Sequence, residues 1–384
     1  MSKVAVIGVG MTPVKSSSGK SLTELFVQAA KQAIEDAGVS KVDAMYVGNM
    51  MSGFLQNQEH LGSLMASALG REGVPTYKVE AACASGGVAM NAGVKASLSG
   101  LDRIVLVGAV ERMSGHTTPQ VTAGLMMAED RLKVATSGVT FVGLNAMIAR
   151  EYMHKYNVRH DEMAQFPVLC HGNALDNPKA QFRKKITVDD VLQSALVADP
   201  LRLYDCSGIG DGAAAVVLAP AEEAKKFTDT PVEVVASSVA TDTLSLYQRK
   251  ELTIFEGSRK AADEAFKRAH LTANDIDVLE VHDAFSVLGL MALEDLGFAD
   301  KGTGAKLLLD GTCNRDGKVP TNTFGGLKAR GHPVGASGMY QVAELALQLS
   351  NRAEKCQVRN ASVGLSQSVG GIGSTVVVHI LRSL

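Results

Sequence analysis

The chain has 384 residues, of which 20% are charged, 46% hydrophobic and 5% aromatic, and 40 acidic side chains nearly balance 38 basic ones for a formal net charge of −2. These proportions belong to an ordinary globular protein and exclude a disordered chain, a collagen-like repeat and a disulfide scaffold. So small a net charge gives no field to gather nucleic acid or an anionic membrane, and the length suits two domains of usual size.

Five cysteines, Cys83, Cys170, Cys206, Cys313 and Cys356, stand far apart with no C-x-x-C pair and no His at zinc spacing, so no metal site is expected and a reducing compartment is. The opening apolar run reads as a buried first strand ending at Gly8 and Gly10, not as a secretory leader. No apolar stretch reaches the length of a membrane span, and a cytoplasmic protein is expected.

In chain order, Ser21-Leu-Thr-Glu24 is a capping box that opens a helix closed by Gly38, and a strand follows at Ala44–Val47. Much later, Gly257 opens a helix to about His270, a turn starts at Thr272, and Val278–Val281 is an apolar strand. A second pair of segments repeats: Ala84-Ser85-Gly86 precedes a small-residue helix to Gly100, and Ala336-Ser337-Gly338 precedes another through Leu349. Order and offset agree, which indicates a duplication with an insertion. The insertion is Ser114–Asp205, and the apolar strand Asp211–Leu218 returns the chain to the first half. The expected boundaries are residues 1–113 for the first half, 114–206 for the inserted segment, 207–230 for the return and 231–384 for the second half. Strands alternating with small-residue helices make this an α/β protein.

Gly8-Val-Gly10 lacks the third small residue of a dinucleotide fingerprint, and no phosphate-loop, zincin or serine-hydrolase motif occurs. Cys83 follows a strand and precedes a helix of small residues. A helix N-terminus stabilises a thiolate, and small neighbours admit a bulky substrate. With a thiol pKa of about 8.5, the nucleophile also needs a base. Taken alone, the same setting describes a buried packing cysteine. His332 stands in Gly325–Gly338 on a tight loop that is the counterpart of the Cys83 loop, so a two-fold packing of the halves brings imidazole and thiol together. His282 falls at the end of a strand, where open α/β sheets carry their sites, and Ser368-Val-Gly370-Gly-Ile-Gly373 reads as a glycine loop whose N–H groups face an oxyanion or merely form a turn.

Together, Cys83-Ala-Ser85, His282-Asp-Ala-Phe285, Gly331-His-Pro333 and Ser368-Val-Gly370, in this order on a duplicated background, resemble the thiolase superfamily over essentially the whole chain. The His-Asp-Ala-Phe form, the Leu327-Lys-Ala-Arg run and the Asp205–Ala215 segment look most like archaeal acetoacetyl-CoA thiolases, relatives of the sterol-carrier-protein thiolases. The resemblance implies a thiolase fold: duplicated βαβαβαββ halves in five αβαβα layers, with an inserted loop domain over the coenzyme A site. It implies that Cys83 forms an acetyl enzyme with His332 as its base, that a second acetyl-CoA is condensed to acetoacetyl-CoA, and that His282 and the N–H groups of Cys83 and Gly370 stabilise the oxyanions. Acetyl-CoA enters as substrate, with no tightly bound cofactor.

One departure is explicit. The usual second catalytic Cys of the family is replaced, at its two alternative positions, by Ser368 and Ala284. A serine hydroxyl is a poor acid–base group, which leaves His332 as the candidate for both proton transfers. The Cys–His–His set also resembles elongating β-ketoacyl synthases, which decarboxylate a malonyl thioester, and a scaffold or acyl carrier with impaired chemistry is the non-enzymatic alternative. Ser207 and Gly208 match a pantetheine-contacting turn, and Arg183 and Lys184, with Lys179 and Lys185, offer charge to the phosphates or form a solvated face. Met113, Met126, Met127 and Met147 shape the acyl tunnel or fill the core. By resemblance the partners are a second copy in a dimer or tetramer, 3-hydroxy-3-methylglutaryl-CoA synthase and a small zinc-ribbon/OB-fold protein.

Overall fold

The computed structural model describes residues 3–384. The first half runs β1 (Val4–Met11), α1 (Leu22–Ala37), β2 (Ala44–Gly48), α2 (Leu61–Ala68), β3 (Thr76–Val79), α3 (Ser85–Ser99) and β4 (Val105–Glu111). The segment after β4 carries α4 (Thr118–Leu125), α5 (Phe141–Tyr156) and α6 (Gln165–Ala174), and β5 (Gly212–Pro220) returns to the sheet. The second half is β6 (Val232–Thr241), α7 (Glu256–Ala269), β7 (Val278–Glu280), α8 (Ser286–Asp295), α9 (Ser337–Leu349), β8 (Val363–Gly370) and β9 (Thr375–Ser383).

The strands form one nine-stranded sheet in the order β3-β2-β4-β5-β1-β6-β9-β8-β7. Read outward from its middle, the two halves repeat one another. β5 and β9 each lie antiparallel to both neighbours, and β2 and β7 run parallel to β4 and β8. In place of β3 the second half has a single parallel bridge from Leu279 to Thr321. The duplication read from the helix motifs is therefore present in the strand order as well. The halves join where β1 pairs with β6 through Val4–Val234, Ala5–Glu233 and Val6–Val232.

Successive side chains of a strand face opposite sides, so a strand buried on both faces reads as continuous apolar sequence. In β5, Ala214, Val216 and Leu218 join a core with Met90 and Val94 of α3 and Met339, Val342 and Leu345 of α9, whereas Ala213, Ala215 and Val217 face Phe26, Ala29 and Ala33 of α1. The same inner core holds Val232 and Val234 of the second half, so the sheet folds back around α3 and α9. α1 covers one outer face and α7 the other, which gives the expected five layers.

The sequence-based elements are found with small differences. Ser21 caps α1 through the full capping box and Gly38 closes it in the left-handed conformation. β1 does not end at Gly8 but continues through Gly10 to Met11, because α1 crosses there so closely that a Cβ on Gly10 would stand 2.0 Å from the Ala29 carbonyl oxygen. The glycine loop predicted from Ser368 is shorter than read: Ser368 and Gly370 lie inside β8, and only residues 371–374 turn into β9. No helix among the described residues is long and apolar enough to cross a membrane.

Candidate active site

Cys83 occupies the turn between β3 and α3. Ala82 adopts a positive φ of 50°, and the Ser85 hydroxyl accepts the Ala81 N–H at 3.0 Å while donating to the Ala82 carbonyl at 2.6 Å. A left-handed alanine is a sparsely populated conformation, held here because Ser85 and the helix fix both sides of the turn.

His332 lies on the equivalent turn before α9. Its N–H donates to the Gly208 carbonyl at 3.2 Å, so the residues predicted to contact pantetheine, Ser207 and Gly208, lie beside it. Ser207 N–H in turn donates to the Ala284 carbonyl at 2.9 Å. The His332 Nδ1 lies 2.7 Å from the Ser337 hydroxyl, and that hydroxyl donates to the Pro333 carbonyl at 3.2 Å. A hydroxyl has one proton to give, so Nδ1 carries the hydrogen and the lone pair of Nε2 is free. His282 follows β7, and its N–H donates to the Gln367 side chain of β8 at 3.2 Å.

The two helix starts meet through glycine. A Cβ on Gly338 would stand 2.7 Å from both the Gly87 nitrogen and the Ser368 hydroxyl. Only that approach lets the loops converge, and the donor atoms of Cys83, His282 and His332 all lie within 4.8 Å of one another. The imidazole centroids are 5.2 Å apart at 85°. All three side chains are buried, at 3%, 3% and 6% exposed.

Burial sets the charge states. It pushes the Cys83 thiol up to about 12, with Glu111 and Glu80 adding to the rise and the N–H groups of Cys83 and Gly371 opposing it. Burial brings His282 down to about 3 with help from Arg330, and holds His332 well below its ordinary value, with His282, Arg330 and Lys328 adding to the effect. At neutral pH the cluster is therefore a thiol and two neutral imidazoles. Glu111 braces the site from β4: its carboxylate accepts the N–H groups of Met50, Met51 and Gly335 and the amide of Asn49, each at 2.9–3.0 Å. It ties the loop after β2 to the loop of His332.

Other expected residues are placed as follows. Gly370 packs against the Cys83 loop, where a Cβ would stand 2.3 Å from the Ala81 carbonyl oxygen. The Ser368 hydroxyl is buried without a hydrogen-bond partner. Among the methionines, Met113 joins Met51, Leu55, Val121 and Val334 in the apolar cluster that holds Cys83, Met126 packs in the separate core of the second half, and Met127 and Met147 are exposed. Lys179 is half-buried and bonded to the Met11 carbonyl, and Arg183 is bonded to the Leu175 carbonyl. Phe182, just before Arg183 and Lys184, covers Gly208. Asp283, beside His282, is buried and accepts the Leu327 N–H at 2.7 Å. Sequence reasoning passed over Ser337, Glu111 and Gln367. The first was visible as a hydroxyl five positions after His332, and the other two are long-range partners with no local signal.

The thiolase N-terminal domain family matches residues 4–222, and the thiolase C-terminal domain-like family matches residues 238–383. The chain belongs to the thiolase family. It is 47% identical over 382 residues to an acetyl-CoA acetyltransferase of Methanothermobacter thermautotrophicus, covering 99% of each chain, and 32% identical over 399 residues to human sterol carrier protein 2, covering 99% of this chain and 72% of the relative. Among solved structures, the Ltp2-ChsH2(DUF35) aldolase aligns with a TM-score of 0.85 at 22% identity over 99% of this chain and 98% of that one. The Acat5 thiolase from Ascaris suum in complex with coenzyme A aligns at 0.72 and 20% identity over all of both chains. At such identities these structures establish the shared thiolase fold.

Proposed function

We propose that this thiolase is an acetyl-CoA acetyltransferase that condenses two acetyl-CoA molecules to acetoacetyl-CoA and free coenzyme A, or runs the reverse thiolysis. The observation that carries the reading is the convergence of Cys83, His282 and His332 from separate loops. The full-length identity to acetyl-CoA acetyltransferase relatives supports the substrate.

In the first half-reaction the Cys83 sulfur attacks the thioester carbonyl while His332 Nε2 takes the thiol proton. The carbonyl becomes an oxyanion faced by backbone N–H groups of Cys83 and the Gly370–Gly371 turn. Collapse expels the coenzyme A thiolate, which takes the proton from His332, and leaves acetyl-Cys83. In the second, neutral His282 donates a hydrogen bond to the thioester oxygen of a second acetyl-CoA, which stabilises the enolate formed when His332 removes a proton from its methyl group. The carbanion attacks acetyl-Cys83, the product leaves, and His332 returns the proton to the sulfur. A neutral imidazole suits both roles, as hydrogen-bond donor and as base.

The test is mass spectrometry after brief exposure to acetyl-CoA. An acetyl adduct on Cys83 that is lost in Cys83→Ser supports the reading, and absence of any adduct overturns it. Full condensation activity in His332→Ala would remove its double role. With alanine at position 284 and serine at 368, the same three residues also suit decarboxylation of a malonyl thioester, and carbon dioxide release from malonyl-CoA with no condensation of acetyl-CoA alone decides for that second reading.

The division into 1–113, 114–206, 207–230 and 231–384 is supported by the sheet, because the strands of the inserted segment, Leu196–Ala198 and Leu201–Arg202, pair only with each other. Ser207 and Gly208 are assigned to the pantetheine arm, and Arg183 and Lys184 to the phosphates of coenzyme A. A homodimer, alone or paired into a tetramer, is supported by β3, an open sheet edge with Tyr77 half-exposed and stacked on Tyr46. Exposed Leu132, Leu196 and Leu203 on the inserted segment suit a further protein partner, such as the zinc-ribbon/OB-fold protein or 3-hydroxy-3-methylglutaryl-CoA synthase.

A further inference from the structure

We propose that Cys83, His282 and His332 together form a chelating site for a zinc ion, and that the bound ion holds the enzyme inactive. Among the described residues they are the group of His, Cys and acidic side chains whose donor atoms crowd closely enough to hold a metal. The spacing along the chain shows nothing of this, since the three residues lie on three loops brought together by folding.

The geometry is close to what zinc requires. In a tetrahedral site the ion stands about 2.3 Å from sulfur and about 2.0–2.1 Å from imidazole nitrogen, which separates neighbouring donors by roughly 3.3–3.6 Å. Donors already within 4.8 Å of one another need to close by roughly 1 Å to reach that arrangement. One thiolate and two imidazoles make three protein ligands and leave a fourth position for water, the composition of an open zinc site.

The hydrogen bonds around the cluster favour coordination. Ser337 fixes the His332 tautomer so that the Nε2 lone pair is unshared, the support that metal-bound histidines receive from an outer partner. His282 Nδ1 is buried with no hydrogen-bond partner. Two buried cations act on the histidines and oppose the charge of an ion there: Arg330, which pairs with Glu344 at 3.0 Å, and Lys328, which bonds the Asp205 carbonyl.

The binding step balances. The Cys83 S–H bond breaks, a Zn–S bond forms, the proton leaves to water, and each histidine contributes a lone pair. A coordinated thiol is deprotonated by the metal itself. With the sulfur and the base both engaged, no acyl enzyme forms.

The experiment is equilibrium dialysis of chelator-treated, reduced protein against zinc, with cobalt(II) in parallel as the spectroscopic probe. The expected result is one metal per chain, a thiolate-to-cobalt charge-transfer band, protection of Cys83 from iodoacetamide, and restoration of activity by a chelator. Cys83→Ser, which exchanges one atom, loses the site and the band, whereas Cys206→Ser, at the half-exposed cysteine, keeps both. Ser337→Ala weakens binding by roughly tenfold. Failure to bind one equivalent, or binding that survives in Cys83→Ser, overturns the proposal. Activity of the metal-free enzyme is a separate readout that tests the catalytic reading alone.

Discussion

The Ser337 hydroxyl stands 2.7 Å from His332 Nδ1 and donates a hydrogen bond to the Pro333 carbonyl, so the His332 imidazole is held in one tautomer by a residue of the helix it precedes. In Ser337→Ala the imidazole loses that anchor. Loss of a buried hydrogen bond costs about 1–2 kcal/mol, which predicts a fall in kcat of roughly tenfold. KM for acetyl-CoA should stay near its wild-type value, and steady-state kinetics in the thiolysis direction checks both. A rise in KM with kcat preserved contradicts the positioning role.

The resting pair is a thiol beside a neutral imidazole, not an ion pair. Burial opposes both charged forms; Glu111 and Glu80 add to it at the sulfur, and His282, Arg330 and Lys328 add to it at His332. Alkylation of Cys83 by iodoacetamide in the free enzyme should therefore accelerate steadily between about pH 7 and 10, because the thiolate fraction is still growing there. A rate already level across that range marks an ion pair and refutes this assignment.

A methyl group added at Gly338 meets the Gly87 nitrogen at 2.7 Å, and backbone cannot move aside as a flexible side chain does. Gly338→Ala is expected to cost about 1–3 kcal/mol in stability and to separate the Cys83 and His332 loops. The measurable outcome is a lower Tm together with a loss of kcat larger than the unfolded fraction explains. An unchanged kcat would show that the approach of the helices does not position the chemistry.

Much of this arrangement was legible in the chain. The capping box at Ser21, the apolar runs of β5 and the paired Ala-Ser-Gly motifs are local, and each is found where patterning put it. The placement of Cys83 opposite His332 was also legible, because duplication turns two local motifs into a spatial relation. Glu111 and Gln367 were not, since an acid at a strand end and a glutamine within a strand look the same whether they brace a loop or face solvent. The extent of β1 was missed for a related reason: Gly8 and Gly10 resemble a strand end, and only the crossing of α1 shows that they are there for close packing.

Met113 is fully buried and shares an apolar cluster with Cys83, Met51, Val121 and Val334. Met113→Ala should free space beside Cys83 and raise the kcat/KM ratio of butyryl-CoA to acetyl-CoA as the acyl donor to that thiol. The same truncation costs about 2–5 kcal/mol in stability, so thermal melts accompany the kinetics. An unaltered chain-length preference in folded protein removes Met113 from the acyl wall.

The ladder of three residue pairs between β1 and β6 is a short seam for a sheet of nine strands. Cys83 belongs to one side of it and His282 and His332 to the other, so the distance between thiol and imidazoles is also a measure of how one half is seated on its twin. Mild denaturant that loosens this seam and the core shared by α3 and α9 is expected to lengthen that distance first, so that turnover falls before circular dichroism changes.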